Sequence, residues 1–252
     1  MPLMLRARFN NATSPLAPGK RVRSRLASPV ASITFDDFPR SAWTVAGPIL
    51  ARYDARATYY AAGRFCGVVE DGLAYYTADD LRAVQAAGHE VGCHTYGHAY
   101  GSRVGTAALK RDIAQNQQAM GALLGDVALS SFAYPYGDAS IRTKRLFADL
   151  YPTSRGIHAG VNAGVIDLAQ LKSVALERRR WSEARIEGFI AEAKAGNGWL
   201  TFFTHDVSDD PTPFGCTPAM LEHALESLKA ADIPVLTIKH ALARVTFDGH
   251  SA

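Results

Sequence analysis

Short apolar runs alternate with segments of helical periodicity along most of the chain. Eight of these runs are typical of strands, because they are short and rich in β-branched or aromatic residues. Several are apolar throughout, as expected for strands that are covered on both faces of a sheet. The predicted strands span residues 30–35, 57–61, 90–93, 130–134, 155–159, 171–176, 200–204 and 234–238.

Helix signals lie between the predicted strands. Thr77 and Asp80 have the spacing of a capping box, with Asp in place of the usual Glu or Gln, and a glycine follows the apolar positions. Pro218 occupies the position that proline favours at the first turn of a helix. The predicted helices span residues 81–87, 106–124 and 218–231.

The chain length and composition favour one globular domain. Hydrophobic residues make up 48% and charged residues 20% of the 252 residues, values that exclude a disordered, collagen-like or coiled-coil chain. No apolar stretch reaches the roughly 20 residues of a membrane span. The alternation of strands and helices predicts an α/β fold with a parallel sheet. The length, and the lack of a GxGxxG or Walker loop, favour closure of that sheet into a barrel.

The positive net charge comes from one end of the chain. Residues 1–35 contain six basic and no acidic residues, and the remainder contains 21 basic and 24 acidic residues. We therefore predict a basic, solvated and partly disordered arm over residues 1–27, followed by a single catalytic domain over residues 28–252. Contact of the arm with anionic lipid or polysaccharide is the alternative. The domain has no basic stripe with aromatic residues, so no nucleic-acid partner is expected.

The three cysteines are widely spaced and odd in number, which predicts neither a disulfide framework nor a metal-binding CxxC motif. The basic arm lacks the apolar segment of a secretory signal. Together these features favour a reducing compartment and predict a cytoplasmic protein.

Polar residues follow two of the predicted strands. Asp36 and Asp37 come after the first strand, and His94 and His98 come after the third. Two imidazoles and one carboxylate can bind a divalent ion and leave positions open for water and substrate, while the second carboxylate acts as a base. A turn or helix cap for the aspartates, and a chance spacing of the histidines, are the structural alternatives.

Two further strand ends carry candidate chemistry. The sequence Tyr134-Pro135-Tyr136-Gly137 predicts a tight turn that points backbone N–H groups outward. His205 follows an apolar strand and is the natural general acid if a metal site lies across the mouth of the barrel.

These four segments, in this order, resemble the motifs of the polysaccharide deacetylase family, the NodB-homology domain or carbohydrate esterase family 4. The resemblance spans about residues 30–245. It implies a distorted (β/α)7-type barrel with mostly parallel strands. It also implies removal of N-acetyl groups from the amino sugars of a polysaccharide, an oligosaccharide or a glycan precursor.

The resemblance also implies a role for each matching residue. Asp36 would be the catalytic base, and Asp37, His94 and His98 would hold a divalent metal ion, most often Zn²⁺. His205 would protonate the leaving amine. The backbone N–H of Tyr136 would bind the oxyanion. Apart from the resemblance, the aromatic side chains of Tyr134 and Tyr136 could stack on the sugar rings of an N-acetylated amino-sugar substrate, and packing in the core is the alternative for each of them.

The sequence departs from the family pattern at two places. Ala133 stands where many members carry the arginine that pairs with the catalytic base. We therefore predict that Arg178 pairs with Asp36, with Arg179 or Arg155 as the alternatives. The Asp-Trp motif that tunes the acid histidine in the family is absent from the sequence.

Three other functions fit the same residues. A 2-His-1-carboxylate set is also typical of non-haem Fe(II) oxygenases, although that chemistry gives Asp36 and His205 no role. The chain could instead hydrolyse a small non-sugar amide. It could also be a non-catalytic carbohydrate-binding relative, which the presence of all three metal ligands disfavours. Assembly into a homo-oligomer stays open.

Overall fold

A seven-stranded parallel sheet organises the computed structural model, which describes residues 13–16, 19–125 and 127–247. The strands are β1 (Arg21–Arg25), β2 (Val30–Asp36), β3 (Thr58–Ala61), β4 (Val69–Glu70), β5 (Leu73–Ala74), β6 (Glu90–Cys93), β7 (Ser131–Ala133), β8 (Thr153–Arg155), β9 (Val165–Asp167), β10 (Val174–Ala175), β11 (Trp199–Thr204) and β12 (Thr246–Phe247). The helices are α1 (Ser41–Thr44), α2 (Ala46–Arg52), α3 (Ala78–Ala86), α4 (Thr106–Leu124), α5 (Ile141–Leu150), α6 (Glu183–Ala195), α7 (Pro218–Ala230) and α8 (Ile238–Ala243).

The order of strands in the main sheet is β10-β11-β2-β3-β6-β7-β8. The sheet curls, and the segment before β10 runs along its far edge. There, Leu171 N donates to Ser154 O at 2.8 Å, and Gly156 N donates to Leu171 O at 2.9 Å. This architecture confirms the prediction of an α/β fold of the distorted (β/α)7-barrel type.

Residue alternation along β2 separates two environments. Ala31, Ile33 and Phe35 belong to the large apolar cluster that includes buried side chains of the surrounding helices. Val30 belongs to a second cluster with Tyr60 and other residues of the barrel interior. Since successive side chains of a strand point to opposite faces, Asp36 at the end of β2 shares the face of Val30 and points into the barrel.

Most of the predicted elements are confirmed. The capping box of Thr77 and Asp80 begins α3, α4 has the predicted bounds, and Thr217 caps α7. The predicted strand at 234–238 is wrong, because that segment makes only one parallel bridge, between Ala31 and Val235, and then enters α8. The strand predicted at 155–159 lies earlier, in β8.

Part of the predicted N-terminal arm is a strand. β1 pairs antiparallel with β9 and with β12. Val22 packs on the second apolar cluster, while Arg21, Arg23 and Arg25 alternate with it on the exposed face. The boundary predicted at residue 27 therefore does not separate this segment from the domain. Residues 1–12 of the arm lie outside the described residues.

A buried carboxylate joins several segments at the amino ends of the strands. Glu90 accepts hydrogen bonds from Thr58 Oγ1 at 2.9 Å, Ser131 Oγ at 2.6 Å and Lys239 N at 2.8 Å. Thr58 Oγ1 in turn accepts from Ile238 N at 2.9 Å. Glu90 thus ties three strands to the first turn of α8, at the end of the barrel opposite the candidate site.

All three cysteines are free thiols, with Cys93 and Cys216 buried and Cys66 partly buried. Within the described ranges, no helix combines the length and the hydrophobicity needed to cross a membrane.

Candidate active site

Left-handed backbone conformations concentrate at the carboxyl ends of the strands. Asp37 and Phe38 follow β2 with φ values of 61° and 56°, and Thr95 and His98 follow β6 with 58° and 49°. Tyr136 follows β7 with φ 59°. Such conformations cost free energy for residues other than glycine, and they are found where a structure must aim side chains at a site. Here they redirect the chain as soon as each strand ends.

The structure brings Asp37, His94 and His98 together. Asp37 Oδ1 lies 3.3 Å from His94 Nε2 and 2.9 Å from His98 Nε2. One ligating atom from each residue lies within 4.8 Å of the other two. Both histidine side chains are buried, and Asp37 is only 16% exposed. In the part of the chain that the structure describes, this is the one such group of three potential metal ligands.

The hydrogen bonds around these residues fit a bound cation. His94 Nδ1 lies 2.9 Å from Ala133 O, and a carbonyl oxygen can only accept, so Nδ1 carries the proton. In a neutral imidazole, Nε2 then carries a lone pair that points toward Asp37 Oδ1. This buried oxygen has no hydrogen bond of acceptable geometry within the described chain. A cation between His94 Nε2 and Asp37 Oδ1 would accept both lone pairs. A histidine that binds a metal through one ring nitrogen usually donates a hydrogen bond from the other, as His94 Nδ1 does to Ala133 O.

The electrostatics of the cluster also suit a cation. Burial raises the pKa of Asp37, but the imidazoles of His98 and His94 outweigh that effect and hold this pKa well below its usual value. Burial lowers the pKa of His98, although Asp37 opposes the change. The cluster therefore offers an ionised carboxylate and a neutral His98 imidazole, which are the forms that bind metal.

Asp36, the aspartate outside the group of three, is held by an arginine. Arg155 is 1% exposed, and its Nη2 lies 2.6 Å from Asp36 Oδ1 and 2.5 Å from Oδ2. Nη1 donates to Gly156 O at 2.9 Å, and the guanidinium lies over the rings of Tyr60 and Phe203. Asp36 is thus a buried carboxylate whose charge is balanced by one fixed cation.

This pairing corrects the prediction that Arg178 is the partner of Asp36. Arg178 is half exposed and contacts Asp210 at 2.5 Å, while Arg179 contacts Glu177 at 2.7 Å. The error lies in the position of the fifth predicted strand. A strand at 155–159 would put Arg155 at the amino end, whereas β8 ends at Arg155 and delivers it to the site. Pro152 gave a usable signal, because proline is favoured at the start of a strand.

His205 faces the cluster from the end of β11. Its Nδ1 lies 3.2 Å from Phe214 O, so the carbonyl fixes the proton on Nδ1 and turns Nε2 toward the site. His205 Nε2 lies 3.9 Å from Asp37 Oδ2. Asp206 does not orient this ring, because its carboxylate accepts from Thr212 N at 2.8 Å and Thr212 Oγ1 at 2.5 Å. No sequence pattern around Phe214 indicates that its carbonyl orients His205.

Comparison with known proteins identifies the family of the chain. The sequence model of polysaccharide deacetylases matches residues 23–151, just over half of the 252 residues. The chain belongs to the polysaccharide deacetylase family. The comparison with curated proteins gives no sequence match.

Several solved structures share the fold of this polysaccharide deacetylase family member. A family 4 acetyl xylan esterase from Clostridium thermocellum, in complex with a cobalt ion, is 20% identical with a TM-score of 0.60, and the match covers 85% of this chain and 90% of the esterase. A T48 deacetylase with substrate is 16% identical with a TM-score of 0.60, covering 88% and 94% of the two chains. A pseudoenzyme of carbohydrate esterase family 4 from Bacillus anthracis is 15% identical with a TM-score of 0.57, covering 88% and 68%.

The two tyrosines of the third family motif have different environments. Tyr134 is 2% exposed, its hydroxyl donates to Ala169 O at 2.8 Å, and its ring packs on Phe132 and Phe147. The prediction that Tyr134 contacts substrate is therefore wrong. Strand alternation explains the error, because Ala133 faces the barrel interior and its neighbour faces the outer core.

Tyr136 is half exposed and lies beside the cluster of Asp37, His94 and His98. Its ring centroid lies 4.4 Å from that of His98, and it stacks on Tyr100 at 3.8 Å with an interplanar angle of 4°. Arg103 lies over the other face of Tyr100, 3.7 Å from the centroid. The stack packs the left-handed turn against His98, one of the three potential metal ligands, so Tyr136 lies at the edge of the candidate site.

A conservative substitution tests the assignment of Tyr134 to the core. We expect Tyr134→Phe to lower the free energy of unfolding by about 1 kcal/mol, because it removes one buried hydrogen bond. The KM for any turned-over substrate is expected to stay unchanged, as measured by steady-state kinetics beside urea unfolding. Tyr59→Phe is the matched control, since the Tyr59 hydroxyl also donates to a buried carbonyl, that of Ala42. A KM that rises in Tyr134→Phe but not in Tyr59→Phe would show that Tyr134 contacts the substrate.

Proposed function

We propose that this family member is a metal-dependent hydrolase that removes N-acetyl groups from amino sugars of a polysaccharide, an oligosaccharide or a glycan precursor. The observation that carries the proposal is the convergence of Asp37, His94 and His98 beside a second buried carboxylate, Asp36, that has its own cation, Arg155. A structural role would not call for two adjacent carboxylates at one strand end, one paired with a buried arginine and the other facing two imidazoles.

The metal ligands would be Asp37, His94 and His98, with Zn²⁺ as the proposed ion. When bound, such an ion polarises an amide carbonyl and lowers the pKa of water. The donor set also fits other divalent ions, and the similar acetyl xylan esterase is described with cobalt.

Asp36 is placed to act as the general base. The carboxylate would accept a proton from the attacking water, and Arg155 holds the carboxylate in one orientation in a buried position. Tyr136 contributes the peptide N–H that would bind the carbonyl oxygen as negative charge develops there. Asp36 ends β2, and Tyr136 lies in the turn that follows β7, so both groups belong to the edge of the sheet that carries the cluster.

His205 supports an amide rather than an ester as the substrate. An amine cannot leave as an anion, so amide hydrolysis needs a proton donor on the leaving side. His205 Nε2 faces the cluster while Nδ1 is fixed by Phe214 O, which is the arrangement of a histidine that delivers a proton from Nε2. The alcohol portion of an ester leaves more readily as an alkoxide, so ester hydrolysis depends less on this proton donor.

Acetate release from N-acetylglucosamine oligomers, with acetylated xylan as the ester comparison, tests the proposal. We expect release from the N-acetyl oligomers that is abolished by a chelator and restored by Zn²⁺ or Co²⁺. In His205→Ala, release from the amide is expected to fall more steeply than any release from the ester. Ester-only activity would overturn the amide assignment, and chelator-insensitive activity would overturn the metal assignment.

A further inference from the structure

A cavity of about 320 Å³ lies where β1 and β9 meet the loop that follows β8. Its lining includes Arg21, His158, Asn162, Asp167, Gln170 and Lys172. None of these residues belongs to the candidate active site. The volume is at the lower end of the range for small-molecule sites, which suits a ligand of about one sugar ring.

The cavity carries an excess of positive charge. Its one acidic lining residue, Asp167, accepts hydrogen bonds from Lys144 Nζ at 2.7 Å, Lys20 N at 2.9 Å and Ala169 N at 3.0 Å. The fully buried Lys144 neutralises this carboxylate. The charges of Arg21 and Lys172, two exposed cations at the rim, are therefore not cancelled by the acidic group of the lining.

Both rim cations have hydrogen-bonding capacity left among the contacts of the described residues. A guanidinium has five N–H donors, and that of Arg21 makes one contact, from Nη2 to Pro15 O at 2.8 Å. Lys172 Nζ lies 3.4 Å from Val161 O, a long contact for an ammonium with three donors. These groups can bind an oxyanion at the cavity without giving up a strong interaction.

The floor of the cavity offers one unsatisfied acceptor. Asn162 is saturated, since Oδ1 accepts from Lys172 N at 2.9 Å and Nδ2 donates to Lys172 O at 3.0 Å and Trp199 O at 3.1 Å. Gln170 is 6% exposed, and its Nε2 donates to Ser14 Oγ at 2.7 Å. Gln170 Oε1 is buried and accepts no hydrogen bond within the described chain. A buried acceptor without a donor is costly, and a small rotation of this amide toward the cavity would let a ligand hydroxyl satisfy it.

We infer that this cavity binds an anionic, hydroxyl-bearing sugar unit. The oxyanion would lie between Arg21 and Lys172, and a ring hydroxyl would donate to Gln170 Oε1. A carboxylate and a phosphate share this chemistry, so a sugar acid and a sugar phosphate are the two forms of ligand. The site would hold such a unit without hydrolysing it, which goes beyond the proposed activity.

Isothermal titration calorimetry of the full chain with glucuronate and with glucose 6-phosphate tests the inference. At least one of them is expected to bind at a single saturable site, and the stronger of the two identifies the form of the oxyanion. Glucose, which lacks the charge, and inorganic phosphate, which lacks the ring, are expected to bind about tenfold or more weakly at equal ionic strength. Binding of glucose as tight as that of the anions, or no saturable binding of either anion, would overturn the inference.

Variants locate the binding at the cavity. Arg21→Ala/Lys172→Ala is expected to weaken binding about tenfold or more, and Gln170→Glu, which keeps the side-chain shape and adds a negative charge, should do the same. Lys110→Ala/Arg111→Ala, two exposed cations on α4, is the matched control and should bind as the unaltered chain does. His94→Ala should also keep full binding, which separates this site from the proposed hydrolytic one. Binding lost in His94→Ala, or retained in both cavity variants, would refute the assignment.

Discussion

Replacing Arg155 by methionine is expected to lower the free energy of unfolding by about 3–5 kcal/mol, because it leaves the buried Asp36 carboxylate without its cation. Asp36 is 5% exposed, and both its oxygens contact the Arg155 guanidinium. Water cannot compensate the charge at that depth, so the carboxylate must take up a proton or the structure must open. Turnover should fall by about 10²–10⁴, since a protonated or displaced base cannot accept the proton of water.

Two further variants separate the structural from the catalytic part of this effect. Arg178→Ala should change the free energy of unfolding by less than about 1 kcal/mol, because the Arg178–Asp210 pair is exposed. Adding Asp36→Asn to Arg155→Met removes the unpaired charge and should restore most of the lost stability, with no recovery of activity. Urea unfolding and steady-state kinetics measure the two quantities. Equal destabilisation by Arg155→Met and Arg178→Ala would show that Arg155 is not the partner on which Asp36 depends.

The second large effect is expected from His94→Ala, which should lose the bound ion and turnover together. His94 contributes a buried Nε2 that lies 3.3 Å from Asp37 Oδ1, and it completes the one group of three potential ligands found among the described residues. Residues that merely orient a metal ligand affect affinity by about 10–100-fold, so removal of the ligand itself should exceed that loss. Elemental analysis of the purified variant, together with acetate release, measures both outcomes.

Comparison with two other histidines gives this prediction its specificity. His205→Ala should retain the ion, because His205 lies outside the group of three potential ligands, and should lose about 10²–10⁴ in turnover on the amide, because its proposed role is to donate a proton. His240→Ala, an exposed residue of α8, should change neither property. Full metal content in His94→Ala, or metal loss in His205→Ala, would contradict the division of roles.

The sequence predicted the meeting of Asp37, His94 and His98 because a topological rule connects them. The carboxyl ends of parallel strands lie at one edge of a sheet, and residues directly after β2 and β6 must be close when the strands are neighbours or separated by one strand. The order β2-β3-β6 satisfies that condition. The apolar and β-branched run of β2 made its end easy to locate, and the short segment of β6 was located by the glycine before it and the histidines after it.

The partner of Asp36 could not be located as precisely, because β8 is only three residues long. A shift of a few residues in so short a strand moves a side chain from one end of the barrel to the other. The same limit explains the wrong assignment of Tyr134, whose direction depends on one step of strand alternation. β1, β9 and β12 were not predicted, because their pairing joins segments more than 100 residues apart. Local sequence patterns do not indicate which distant segments pair.

The hydrogen bonds of Glu90 have a practical consequence for engineering. They join Thr58, Ser131 and the start of α8 at the end of the barrel away from the candidate site. Loop grafting between relatives at the mouth would leave these contacts intact, so substrate preference can be exchanged on an unchanged scaffold. Substitutions near Glu90 would instead change the thermal stability of the protein and leave its substrate selectivity unchanged.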